Sequence, residues 1–209
     1  MQKNPYSLAW NPNPPVTVMQ IVAVAVAAGV YVVLSWVGVI ALPTGFFSVS
    51  ALFVAVGFGI PFAIWFGGWG FIIGFLGGFL GSGLLTGTPI LVAIPFGFVD
   101  FFQFGIPLIA YRLLAPRFGL DQLGRDVYTL KGFIFFVLTS VLPNNGIGAL
   151  VGVGILTVGG LIPADAYWPS VITWWIGNSI VSIVIAPILL RGLSSVVERL
   201  GLTVHGVIT

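Results

Sequence analysis

From Val16 to Tyr111 a single side chain, Asp100, carries a formal charge. A water-soluble domain makes its exterior from charged residues, roughly a quarter of its composition. Here they are 6% of 209 residues, while 58% are hydrophobic. Too few polar side chains remain to clothe a core in water. Lipid removes that requirement, and a helix crosses it in about 20 apolar residues. The chain therefore reads as an all-α integral membrane protein that works within the bilayer or through short loops. Cysteine is absent, which excludes disulfides, thiolate nucleophiles and Cys-ligated metals. His205, the one histidine, lies in a short tail, and the net charge of +2 leaves no nucleic-acid footprint. Residues 1–15 are polar and rich in Pro and Asn, so no signal peptide is expected.

Turn residues divide the apolar sequence into spans at about 16–40, 47–66, 69–86, 90–113, 130–160 and 168–190. The breaks are Leu42-Pro43-Thr44-Gly45, Gly67-Gly68, Thr86-Gly87-Thr88-Pro89, the polar connection 114–129 and Leu161–Ala166. The fifth stretch is longer than a bilayer requires and contains Pro143-Asn144-Asn145-Gly146. It is one long tilted or kinked helix or two short pieces. Charge placement favours one crossing there. With six spans, Lys3, Arg112, Arg117, Arg125, Lys131, Arg191 and Arg199 fall on one side, and the opposite loops carry no Lys or Arg. The positive-inside rule then predicts a six-transmembrane-helix bundle with both termini cytoplasmic. The division is an N-terminal lead (1–15), a transmembrane domain (16–192) and a C-terminal tail (193–209). The expected location is the cell membrane, multi-pass. Trp10, Trp36, Trp65, Trp69 and Trp168 lie near span ends, where interface anchors belong.

Small residues recur every four positions, as in Gly70/Gly74/Gly78 and Gly77/Gly81 on the third span, Gly148/Gly152 on the fifth, and Ala23/Ala27 and Ala25/Gly29 on the first. That spacing lets two helix backbones approach closely. The third span, with most of them, is expected at the centre of the bundle. The first helix uses its small face for internal packing or offers it to a partner protein.

Polar residues at membrane depth are few. Asp100 lies about 15 Å into the fourth span by helical rise, with Gln103 on much the same face. Asn144 and Asn145 in the fifth span and Asn178 in the sixth reach a similar depth. Trp174 and Trp175 lie one to two turns into the sixth, as lipid contact or pocket wall. Such a cluster is polar glue between helices, or it lines a pocket for a small polar solute, because interrupted backbone at this depth is tolerated beside a cavity. No Ser–His–Asp set, metal cluster or phosphate loop is present, so neither catalysis nor a cofactor is expected. Asp100 could instead relay protons, although no second buried acid or base accompanies it.

Ala27-Ala28-Gly29-Val30-Tyr31-Val32-Val33-Leu34-Ser35, then Phe66-Gly67-Gly68-Trp69-Gly70-Phe71-Ile72-Ile73-Gly74 and the glycine-rich run to Gly87, resemble the S component, the substrate-binding membrane subunit of energy-coupling factor (ECF) transporters. The resemblance spans about residues 20–192. It departs at Gly78, Gly81, Ser82 and Gly83, where many relatives carry Asn and Asp. It implies six helices with cytoplasmic termini and a pocket opening outward. Asp100, Gln103, Asn144, Asn145, Trp174 and Asn178 are the candidate substrate-binding residues. Ala23, Ala27 and Gly29 would dock on a transmembrane coupling subunit, which acts with two cytoplasmic ATPase subunits. The implied function is high-affinity capture of a vitamin or related micronutrient for ATP-driven uptake, with membrane lipid as a further partner of the basic loop. A stand-alone secondary carrier and an integral sensory or scaffold domain are the alternatives.

Overall fold

The computed structural model describes residues 5–11, 13, 16–41, 45, 47 and 49–208. The expectations for Lys3 and for the turn residues Leu42-Pro43-Thr44 lie outside them. Five helices are long and apolar enough to cross a membrane: α1 (Val18–Ala41), α3 (Trp69–Thr86), α4 (Ile90–Phe118), α5 (Leu130–Val158) and α6 (Ala164–Arg199). A shorter apolar helix, α2 (Val54–Phe66), lies between the first two of these. The chain is thus a helical, multi-pass membrane protein by length and composition.

Local chemistry sets the helix ends. Thr17 and Gln20 form a reciprocal capping box at the start of α1, Gln20 N–H donating to Thr17 Oγ1 (3.2 Å) and Thr17 N–H to Gln20 Oε1 (3.0 Å). Thr129 caps α5 by accepting from Gly132 N–H at 3.0 Å. Gly67 ends α2 at φ +57°, and any Cβ there would press on the Val207 carbonyl. Only glycine satisfies both conditions.

The second span departs from expectation. Its helix begins at Val54, not near residue 47. The preceding residues are as apolar as a helix but hold another course: Ser50 donates its hydroxyl to the Gly38 carbonyl (2.7 Å), and Phe53 is extended. The Ala51 carbonyl rests against Gly177 of α6, where no Cβ would fit. With 13 residues, α2 is about 20 Å long, yet from Ala55 to Phe66 only Phe58 is not fully buried. It packs most extensively on α6, where Gly57 receives Ile185. The short second helix is therefore the most enclosed element, rather than the third.

The fifth stretch is one helix. Its backbone widens to a π-helical turn at Val137–Val141 immediately before Pro143. Proline supplies no N–H and crowds the carbonyl four residues back, and a widened turn relieves that conflict. Trp175 donates its indole N–H to the Leu142 carbonyl (3.0 Å) beside the irregularity. Similar turns occur at Gly77–Gly83 in α3 and Ala110–Leu114 in α4. Within α4 the helix also breaks at Phe98, so Asp100 lies in the first turn of a new helical segment.

Glycines let α3 be approached from two sides. A Cβ on Gly77 would enter the Tyr31 ring and one on Gly81 would meet the Val32 carbonyl, both on α1. On the other side Gly70 and Gly74 admit Phe104 of α4, and Gly78 admits Asp100. The four-residue spacing here serves internal packing.

One end of the bundle is closed by a network of polar contacts. The N-terminal lead and the C-terminal tail pair there, Ser7 N–H to the His205 carbonyl (2.7 Å) and Val207 N–H to the Ala9 carbonyl (2.9 Å). Arg112, 3% exposed, donates to the Ile64, Val204 and His205 carbonyls and lies 4.8 Å from the Tyr6 ring centre. Tyr6 donates to Glu198 (2.8 Å), and Gln122 donates to the Tyr6 and Arg112 carbonyls. Arg125 bridges Asp121 and Glu198. Trp65, expected at an interface, is buried here and donates to Ser194 Oγ (2.8 Å).

Candidate functional site

Midway along the bundle α3, α4, α6 and the approach to α2 enclose a small cavity. Asp100, Gln103, Trp174 and Asn178 line it, so four of the six expected substrate-binding residues come together. The remaining wall is Ser50 and Phe53, Gly78 and Ser82, and Phe96 and Val99. Its volume is about 20 Å³, enough for one water molecule.

Each side chain reaches the cavity for a local reason. The break at Phe98 starts a helical segment whose first turn carries Asp100. The absence of a side chain at Gly78 leaves room for the carboxylate, which accepts from the Gly78 main chain and from the Tyr31 hydroxyl at 3.4 Å. Gly148 and Gly152 of α5 make space for Gln103 and for the Trp174 indole respectively. Trp174 meets Phe96 edge-on at 5.9 Å between ring centres. The α5 glycine pair therefore supports the cavity from behind without lining it.

The hydrogen-bond inventory is uneven. Gln103 Nε2, Trp174 Nε1 and Asn178 Nδ2 are buried and have no partner among the described residues. No cationic side chain lines the cavity beside Asp100, which is 5% exposed. Three residues with an unpartnered N–H and one carboxylate thus line a space walled by Phe53, Phe96 and Trp174, with Gln103 Nε2 lying on its α5 side against Gly148. Such a set can hold a neutral polar group that offers both acceptors and a donor, and either amide can turn to present its oxygen. Among the described residues no group of His, Asp or Glu could hold a metal.

Asn144 and Asn145 lie apart from this lining. Asn145 donates to Ser182 Oγ of α6 at 3.2 Å, and Asn144 is fully buried with both amide atoms unpartnered among the described residues. Trp175 is exposed, and its neighbour Trp174 forms the wall. On α1, Ala27 belongs to the core and Ala23 packs against it, while Gly29 faces outward with nothing within 4 Å of where a Cβ would stand.

Tyr31, Ser50, Phe53 and Ser82 are the site residues that sequence reasoning passed over. Tyr31 lies inside the run that carries the family resemblance and Ser82 among the positions that depart from it, while Ser50 and Phe53 lie inside a run expected to be helical. The signal available for Ser82 was a hydroxyl within an otherwise apolar glycine block. For Ser50 and Phe53 composition offers none.

No family model, curated protein or solved structure matches this chain.

Proposed function

We propose that this chain is a solute-capture subunit of the S-component type, binding a small polar micronutrient in the central cavity and delivering it to an ATP-driven transporter. The observation that carries this reading is one cavity lined by Asp100 and by Gln103, Trp174 and Asn178, each of the last three with a buried N–H unpartnered among the described residues. Buried polar groups in a membrane are costly when left unpaired. A bound solute supplies what the helices do not.

Six crossings with cytoplasmic termini accompany the proposal. The pairing of lead and tail beside the 119–129 connection supports an even number of passes, with α2 as the second. Arg112, Arg117, Arg125, Lys131, Arg191 and Arg199 belong to that same end by their places on α4, the connection after it, α5 and α6, which supports its cytoplasmic orientation. A cavity of 20 Å³ admits an organic solute only after widening. The wall formed by Ser50 and Phe53 is not helical, so it can part without breaking helical hydrogen bonds. Reorientation across the membrane would then fall to a coupling subunit and two ATPases, and this chain itself would hydrolyse nothing.

Native mass spectrometry of the protein purified from its own membranes tests the reading. A retained small molecule is expected in the wild type and is lost in Asp100→Ala and Asn178→Ala proteins that still fold. Co-purifying ATPase subunits would support the transporter role. Wild type and variants equally free of small molecules would sink the capture proposal.

A further inference from the structure

Near the lead-and-tail end, an apolar groove of about 520 Å³ runs over the last turn of α4 and the first turns of α5. Phe118, Leu130, Ile134 and Leu138 line it, and all four are exposed. Lys131 lines it as well, and Arg117 adjoins Phe118. Both cations are exposed, and neither has an ionic or hydrogen-bonding partner among the described residues. The acidic groups of the same connection are engaged elsewhere. Asp121 binds Arg125, and Asp126 accepts from the Asp121 main chain.

Two other surface grooves provide a contrast. The one between α1 and α3 (about 230 Å³) and the one between α4 and α5 toward their opposite ends (about 400 Å³) have no charged lining residue. Of these three grooves, the largest alone pairs an apolar trough with positive charge unpartnered among the described residues. From Leu130 to Thr139 it follows α5 for about 13 Å, with the cations toward one end and hydrocarbon contacts along the rest. The N-terminal end of α5, the positive end of its dipole, lies at the cationic end as well.

We propose that this groove seats one anionic glycerophospholipid, its phosphate between Lys131 and Arg117 and an acyl chain along α5. Lysine supplies a point charge and arginine a planar fork, a pairing suited to a phosphodiester. The trough excludes the chain from competing lipid contacts and so confers selectivity on a position that bulk lipid would otherwise visit at random.

The test uses the full chain in nanodiscs with equal phosphatidylglycerol and phosphatidylcholine of identical acyl chains. Native mass spectrometry then counts the lipids retained. Each basic residue near a membrane surface favours anionic lipid appreciably, so the wild type should retain one phosphatidylglycerol about tenfold over phosphatidylcholine. The double variant Lys131→Gln/Arg117→Gln should lose that preference, and Arg199→Gln should keep it. Ile134→Trp, which fills the trough and leaves the charges in place, should reduce retention of both lipids. Circular dichroism confirms folding, and Lys131→Gln alone serves if the double variant does not fold. Equal retention of the two lipids by wild type, or a preference unchanged without the two cations, would overturn the proposal.

Discussion

The polar end of the bundle and its central cavity treat buried polarity in opposite ways. At the end, Arg112 has three carbonyls and an aromatic face and leaves only its Nε without a partner among the described residues, and Tyr6, Gln122, Ser194 and Glu198 all have partners. In the middle, Gln103, Trp174 and Asn178 line one cavity, and a buried N–H group of each has no partner among the described residues. A satisfied network adds rigidity, whereas an unsatisfied one is a standing cost. The contrast separates polar groups that the fold pairs from polar groups that it leaves unpaired, and it is the second set that the proposed solute would complete.

The largest expected effect lies at the end. Arg112→Met leaves the Ile64, Val204 and His205 carbonyls without their donor and should destabilise by about 3 kcal/mol or more, read as a lowered Tm in detergent. If Tm hardly moves, the end is not the architectural half of the pair. Next comes Gly77→Ala, whose methyl must displace the Tyr31 ring. Overpacking of this kind costs about 1–3 kcal/mol, and thermal unfolding would register it.

Tyr6 offers a test by pH. Burial raises its phenol from 10.0 to about 12, with the Glu198 carboxylate adding to the shift and the Thr203 hydroxyl opposing it. The folded protein therefore holds this proton after the unfolded chain has released it. The corresponding stability is complete below pH 10 and is lost as pH rises through 12. Tm should fall across that window, and less steeply in Tyr6→Phe.

The cavity sharpens the comparison from the other side. Gln103→Leu or Asn178→Leu removes an unpartnered group, so stability should change by less than about 1 kcal/mol or rise slightly, while retention of a solute is lost. A loss above about 2 kcal/mol would instead make these amides structural glue. Smallest of all is Gly29→Ala on the open face of α1, expected within about 0.5 kcal/mol.

The helices were legible because lipid enforces long apolar runs, and α1, α3 and α4 begin within about two residues of the expected positions. The start of α2 was not. Val49, Ala51, Leu52 and Phe53 are as apolar as helix, and what holds them off that path is a hydroxyl from Ser50 to a carbonyl on α1, a tertiary contact that composition does not record. The site was legible in depth but not in direction. Asp100, Gln103 and Asn178 were placed at one level from spacing alone, and Asn144 and Asn145 share it. Yet the two α5 asparagines do not join the cavity lining, because a helix apolar on every side gives no phase from which to read where a polar group points. Trp65 shows the same limit, since a tryptophan near a span end is an anchor or a core residue according to its neighbours.

The brevity of α2 has a consequence for the surrounding bilayer. A 20 Å apolar helix facing lipid would force the membrane to thin around it, or to tilt and crowd its neighbours. Here neighbouring helices enclose it almost completely, so the acyl chains meet chiefly the longer helices. The hydrophobic girth that this protein shows its membrane is set by those outer helices, and the length of its innermost one is free to vary without any elastic penalty from lipid.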